Sequence, residues 1–247
     1  RFRYRIYRLD RPMQPGEERF LMCDTRYQPR GFRNSLQNVR IVENGTLLHD
    51  SQLMPNVGMS YAGLMPDSAK RRKYGLKGEL RLPKLEDMEA TAKPNGGRGW
   101  AMADVTVSTA ADQTPLSAGN KVSDVTRGGR RTARFVLRVP IRPDFAVLSA
   151  RYAEKHRNHD GVDLSVYYHP AHAWNVDRML DAMAVSLDYY QANFGPYQFD
   201  HARIVELPSW WKGAQAFGGT IPYSENAGFV SDYSVPETMD FVGRMKG

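Results

Sequence analysis

Between Gly218 and Phe229 the sequence sets one carboxylate, Glu225, beside an amide, Asn226, in a segment of glycine, proline, hydroxyl and apolar residues. Tyr223 and Ser224 precede the pair. A lone carboxylate in apolar surroundings is costly to desolvate unless it meets a cation, a metal or fixed donors. Trp210, Trp211, Phe217, Tyr223 and Phe229 offer aromatic walls, and the glycines let a backbone approach closely. The chemistry open to such an acid is capture of a ligand ammonium through charge-assisted hydrogen bonds. The plainer alternative is a strand glutamate that is solvated or paired with a surface cation. The expectation is a substrate-binding edge made by Tyr223, Ser224, Glu225 and Asn226, forming one half of a site.

Other chemistries find less support. Six histidines are present, and His169 and His172 flank Pro170-Ala171, but no H-E-x-x-H occurs. No carboxylate sits at a helical offset from two histidines, so no metal is expected on this chain. No G-x-S-x-G elbow, G-x-G-x-x-G turn or P-loop appears, and Ser224 lacks the strand-to-helix setting of a nucleophile elbow. Cys23 is the only cysteine, which excludes an internal disulfide and a thiolate cluster and reads as a small buried residue.

Lys and Arg number 34 against 27 Asp and Glu, a net charge of +7. That balance raises nucleic acid or an anionic membrane surface as partners. The basic residues are scattered, however: Arg1, Arg3, Arg5 and Arg8 alternate with apolar residues, and Lys70–Lys73 and Arg127–Arg131 lie in turn-rich stretches. They read as solvated surface, and no nucleic acid is expected.

The elements that must position Glu225 begin with short strands. Alternation marks Arg1–Leu9, Ala103–Thr109 and Thr132–Val139; Arg19–Cys23 and Val39–Val42 look like further strands. Asn44-Gly45 signals a tight turn, Gln113–Gly128 reads as turn-rich, and Leu85–Gly99 as a mobile loop. From Gly161 the texture changes. Gly161–Tyr168 is a strand; Asn175 is a plausible N-cap for a helix with its apolar stripe at Val176, Met179, Leu180, Met183, Ala184, Leu187 and Tyr190. Gly195-Pro196 stops it, Ala202–Leu207 is a strand closed by Pro208, and Thr220–Phe229 is the next. The fold class expected is mainly β with a smaller α+β part: an antiparallel β-rich domain over residues 1–155, then a β-α-β-β portion over residues 156–247.

The second half resembles the M1 family of zinc aminopeptidases. Leu187-Asp188-Tyr189-Tyr190 with Phe194-Gly195-Pro196-Tyr197-Gln198-Phe199 is similar to that family's helix end and F-G-x-Y-P-F turn. Pro222-Tyr223-Ser224-Glu225-Asn226 stands where the family has G-A-M-E-N. The resemblance implies a saddle-like N-terminal β domain followed by the start of a thermolysin-like domain. It also implies that Glu225 binds the free N-terminus of a peptide while Asn226 and the strand backbone align it. The wording from Gly219 to Glu225, with Ser149-Ala150-Arg151-Tyr152 and Tyr168-His169-Pro170 upstream, looks closest to bacterial M1-like domains fused to ABC-type permease segments. On that likeness the chain is a periplasmic or extracytoplasmic piece of a membrane-tethered parent, with no cofactor of its own and zinc expected in the complete protein. A peptide- or protein-binding module of a transporter is the alternative.

Overall fold

The computed structural model describes residues 6–26, 40–55, 65, 67–77, 84, 86–89 and 100–231. Residues 1–5, 39, 85, 90–99 and the last sixteen positions lie outside that set, and with them parts of the Arg1–Leu9, Val39–Val42 and Leu85–Gly99 expectations. The chain divides into two compact units, residues 1–27 with 53–98, and residues 28–52 with 99–247.

In the first unit, residues 6–26 carry no strand. Arg19–Cys23 is irregular, with Phe20 and Met22 fully or almost fully exposed and Cys23 exposed rather than buried. Local polar contacts shape this stretch instead: Glu17 accepts from Arg11 at 2.9 and 3.0 Å and from Arg19 at 3.0 Å. The basic run expected in a turn forms α1 (Ser68–Lys73), because Asp67 caps it by accepting the Lys70 N–H at 2.6 Å. Arg71 folds back onto the carbonyls of Lys77 and Met65.

The second unit is mainly β. Strand β1 (Thr46–His49), β3 (Thr114–Ser117) and β6 (Ala146–Ala150) make one antiparallel sheet, with β6 central. Strands β2 (Asp104–Ala110), β4 (Asn120–Arg127) and β5 (Arg130–Val136) make a second, around β5. A four-stranded sheet, ordered β10-β9-β8-β7, holds β7 (Ala153–His159), β8 (Val162–Tyr168), β9 (His201–Leu207) and β10 (Thr220–Ser224). There β7 and β8 form an antiparallel hairpin, while β8, β9 and β10 run parallel. The division expected at residue 155 falls inside β7.

Helix α2 (Val176–Phe194) bridges β8 and β9, as parallel neighbours require. Its stripe packs as the periodicity predicts: Val176, Met179, Leu180, Met183 and Leu187 are buried, whereas Tyr190 is exposed. Gly195, at φ 113°, ends it where a side chain would strain. The mixed sheet is covered on both faces. Leu164, Val166, Ala202, Ile204 and Tyr223 face α2; Tyr167, Val205 and Leu207 face Leu47, Leu116, Phe135 and Leu148 of the antiparallel sheets. All seven residues of β9 are buried, as in the centre of a two-sided parallel sheet.

Candidate functional site

The carboxyl ends of β8, β9 and β10 point the same way, and the segments leaving them converge. In open α/β sheets this is where ligands bind. After β8 the chain turns through His169–His172, closed by the His172 N–H on the His169 carbonyl at 2.8 Å. Glu206 is the penultimate residue of β9 and lies on the α2 side of the sheet, in register with Tyr223. After β10 the chain does not continue as strand. Glu225–Gly228 forms a helical turn, α3, with the Phe229 N–H on the Glu225 carbonyl at 3.0 Å. The expected strand Thr220–Phe229 is therefore corrected to a strand ending at Ser224 and a turn that re-aims Glu225.

His172, Glu206 and Glu225 meet here, with one ligand atom from each lying within 4.8 Å of the others. His172 Nδ1 is 2.5 Å from Glu206 Oε1. The other Glu206 oxygen accepts the His169 N–H at 2.6 Å. Glu225 Oε1 accepts the Ser209 N–H at 2.7 Å. Each carboxylate is thus held on one oxygen by a fixed backbone donor, the arrangement that orients an acid toward a guest. The Glu206 side chain is 4% exposed and that of His172 is 24% exposed. Burial raises the Glu206 carboxyl above its ordinary range, and the nearby Glu225 charge adds to this; the His169 N–H and His172 act against it. Tyr152 donates from its hydroxyl to the Glu206 carbonyl at 2.9 Å, and burial pushes that phenol up. Among the described residues neither Glu206 nor Glu225 pairs with a lysine or arginine; the ion-pair partner at the site is His172, on Glu206.

The other expected site residues go elsewhere. Ser224 stands at a strand-to-helix junction after all, but on the opposite face of β10 from Tyr223. Its Oγ is buried without a partner, and no histidine reaches it. Tyr223 is buried against α2 and Phe229. Asn226 is exposed. The aromatic walls are also divided by the sheet: Tyr223 and Phe229 belong to the α2 core, and Trp210, Trp211 and Phe217 to the opposite one.

The outer edge of β10 is not open either. Residues 213–217 run antiparallel along it. Gln215 donates to the Pro222 carbonyl at 3.2 Å, Ser224 to the Gly213 carbonyl at 3.0 Å, and Phe217 and Thr220 exchange bonds of 2.8 and 3.1 Å. Pro222, which has no N–H to offer, sits on this outer side where only its carbonyl is needed. The expected substrate-binding edge is occupied by the chain itself.

No protein-family model and no curated protein sequence matches this chain. The site therefore rests on its geometry. Asn175, expected as a side-chain N-cap of α2, makes no capping bond. Instead its Nδ2 donates to the carbonyls of Gly228 and Ser231, both at 2.7 Å, and holds the α3 turn against the helix start. Glu206 and His172 as a pair escape sequence reasoning because 34 residues separate them. Their only local trace is a charged residue at the apolar end of a strand.

Proposed function

We propose that this chain supplies the amine-binding portion of an M1-like metallo-aminopeptidase tethered to a bacterial membrane, with Glu225 as the principal anchor. The observation that carries this is the pair of carboxylates, Glu206 and Glu225, converging without a lysine or arginine partner among the described residues at the carboxyl ends of the parallel strands β8, β9 and β10. A buried carboxylate, Glu206, beside a half-buried one, Glu225, calls for a cation, and the ammonium of a peptide N-terminus matches the charge and hydrogen-bonding capacity of the pair. The Ser209 N–H holds Glu225 through one oxygen and leaves the other for the guest, while both oxygens of Glu206 are engaged, one by the His169 N–H and one by His172.

The zinc ligands of the M1 family do not fit any residues of this chain, since H-E-x-x-H does not occur in its 247 residues. The chemistry assigned to these residues is binding and orientation, with peptide-bond cleavage assigned to the rest of a parent protein and its zinc. No described helix is long and apolar enough to cross a membrane, so the tether and an extracytoplasmic location belong to that parent in this proposal.

Titration calorimetry with leucine amide tests the assignment. Binding is expected to weaken at least tenfold in Glu225→Gln and to vanish for N-acetyl-leucine amide, whose nitrogen carries no charge. Equal binding of the acetylated amide would sink it. The covered edge of β10 favours a second reading, a peptide- or protein-binding module of an ABC-type transporter, because a strap on that edge denies an extended substrate its backbone partners. Turnover by the full-length protein, lost in Glu225→Gln, separates the enzyme from the module.

A further inference from the structure

We infer that His172, Glu206 and Glu225 form a binding site for a divalent transition-metal cation of the zinc class, distinct in its residues from any H-E-x-x-H centre. Three features carry the inference together. The donor set is one imidazole and two carboxylates, the nitrogen-and-oxygen combination that zinc accepts, and three protein ligands leave the fourth position of a tetrahedron open. The donors come from three separate segments, the turn after β8, the end of β9 and the turn after β10, so the fold itself brings them together. The charge is also unbalanced: two carboxylates, one with a side chain 4% exposed, face only an imidazole, with no lysine or arginine on either among the described residues. That deficit points to a cation, and a divalent one removes it completely.

The spacing is close to what a metal needs. Ligands bound at about 2.0–2.1 Å around a tetrahedral ion stand roughly 3.3 Å apart. His172 Nδ1 and Glu206 Oε1 are 2.5 Å apart, held by the proton they share. A metal replacing that proton parts them by less than about 1 Å. His172 sits in a turn rather than in the packed sheet and can make this movement. The supporting contacts are already present: the His169 N–H on the far oxygen of Glu206, and the Ser209 N–H on one oxygen of Glu225 while the other stays available. Binding takes up the cation and releases the shared proton, with no change of oxidation state.

The site shares Glu206 and Glu225 with the proposed amine anchor, so cation and ammonium compete, but the inference does not depend on the amine assignment. The test is equilibrium dialysis of the whole chain against zinc, with the metal measured by emission spectroscopy, and cobalt(II) as a coordination probe. One equivalent of zinc is expected, together with the visible d–d absorption of four-coordinate cobalt. His172→Ala, at a partly exposed position, is expected to lose both, and Glu225→Gln to weaken zinc at least tenfold, each with an unchanged circular dichroism spectrum. Zinc retained equally by His172→Ala, or no zinc on the unmodified chain, overturns the metal site. Either result leaves leucine amide binding to be judged separately: amine binding without zinc defeats only this inference, and zinc binding without amine defeats only the proposed function.

Discussion

Asn175 reaches from the start of α2 to the carbonyl of Gly228 with a 2.7 Å hydrogen bond, and a second bond of equal length joins it to Ser231. The residue before the helix thereby fixes the far end of the turn that begins with Glu225. Removing this amide leaves the buried Gly228 carbonyl and the part-buried Ser231 carbonyl short of a donor. Asn175→Ala is expected to cost about 1–3 kcal/mol in urea unfolding and to weaken leucine amide binding, although Asn175 touches no ligand. Unchanged affinity would separate the turn from the site.

Gly228 is closed to larger residues by packing alone. A Cβ there would lie 2.8 Å from the Tyr223 ring and 2.9 Å from the Met179 terminal methyl. The methionine tip can yield, but the ring, wedged against Phe229, cannot do so without moving the turn. Gly228→Ala is expected to destabilise by about 1–3 kcal/mol, read as a lower melting temperature.

Arg203 is buried in β9 on the face away from α2. Its guanidinium donates to the Gly119 carbonyl at 2.7 Å and lies 5.8 Å from the centre of the Phe135 ring. Arg203→Ala would strand that carbonyl and open a cavity beside Phe135, a loss of about 3–5 kcal/mol. Denaturant unfolding checks this, and a cost under about 1 kcal/mol would mean that water replaces the guanidinium.

His201 makes the fold acid-sensitive. It is 6% exposed, its Nδ1 faces Asp200, and its Nε2 is buried without a partner against Gly219. Burial, helped by the Arg203 charge, lowers its pKa to about 4 from 6.5. The native state therefore takes up this proton later than the unfolded chain does. Its contribution is fully present above pH 6.5, declines as pH falls, and is lost below about pH 4, on the order of 3 kcal/mol in all. Urea midpoints at pH 7, 5.5 and 4 should fall more steeply for the native sequence than for His201→Gln. Parallel slopes would show that carboxylates alone set the acid limit.

The sequence disclosed elements whose burial follows a simple period. β2 and β5 alternate, β8 is an apolar run between turns, and α2 carries a stripe at helical spacing. It hid β3 and β4 inside a stretch that reads as turns. β3 is buried along its whole length and contains Pro115, so it neither alternates nor looks like a strand. β4 is polar, and its register shifts between Lys121 and Ser123, which breaks the alternation. Arg19–Cys23 has the composition of a strand but no strand partner among the described residues. In the site, Glu225 was legible because a carboxylate stood out against its neighbours. The change of direction at Ser224 and the approach of His172 depend on contacts made by residues distant in sequence.

The strap along β10 also bears on how the molecule behaves in concentrated solution. A bare outer strand invites a second chain to add to the sheet, the first step toward aggregation. Residues 213–217 remove that invitation on one side. At the other end of the sheet, β7 carries Glu154, Lys155, His156 and Arg157 in succession, charges that an incoming strand would have to desolvate. The mixed sheet is thus guarded at both margins by different means, one a cover and the other a row of charge. Releasing the strap to admit an extended peptide would uncover the side that has no charges of its own to defend it.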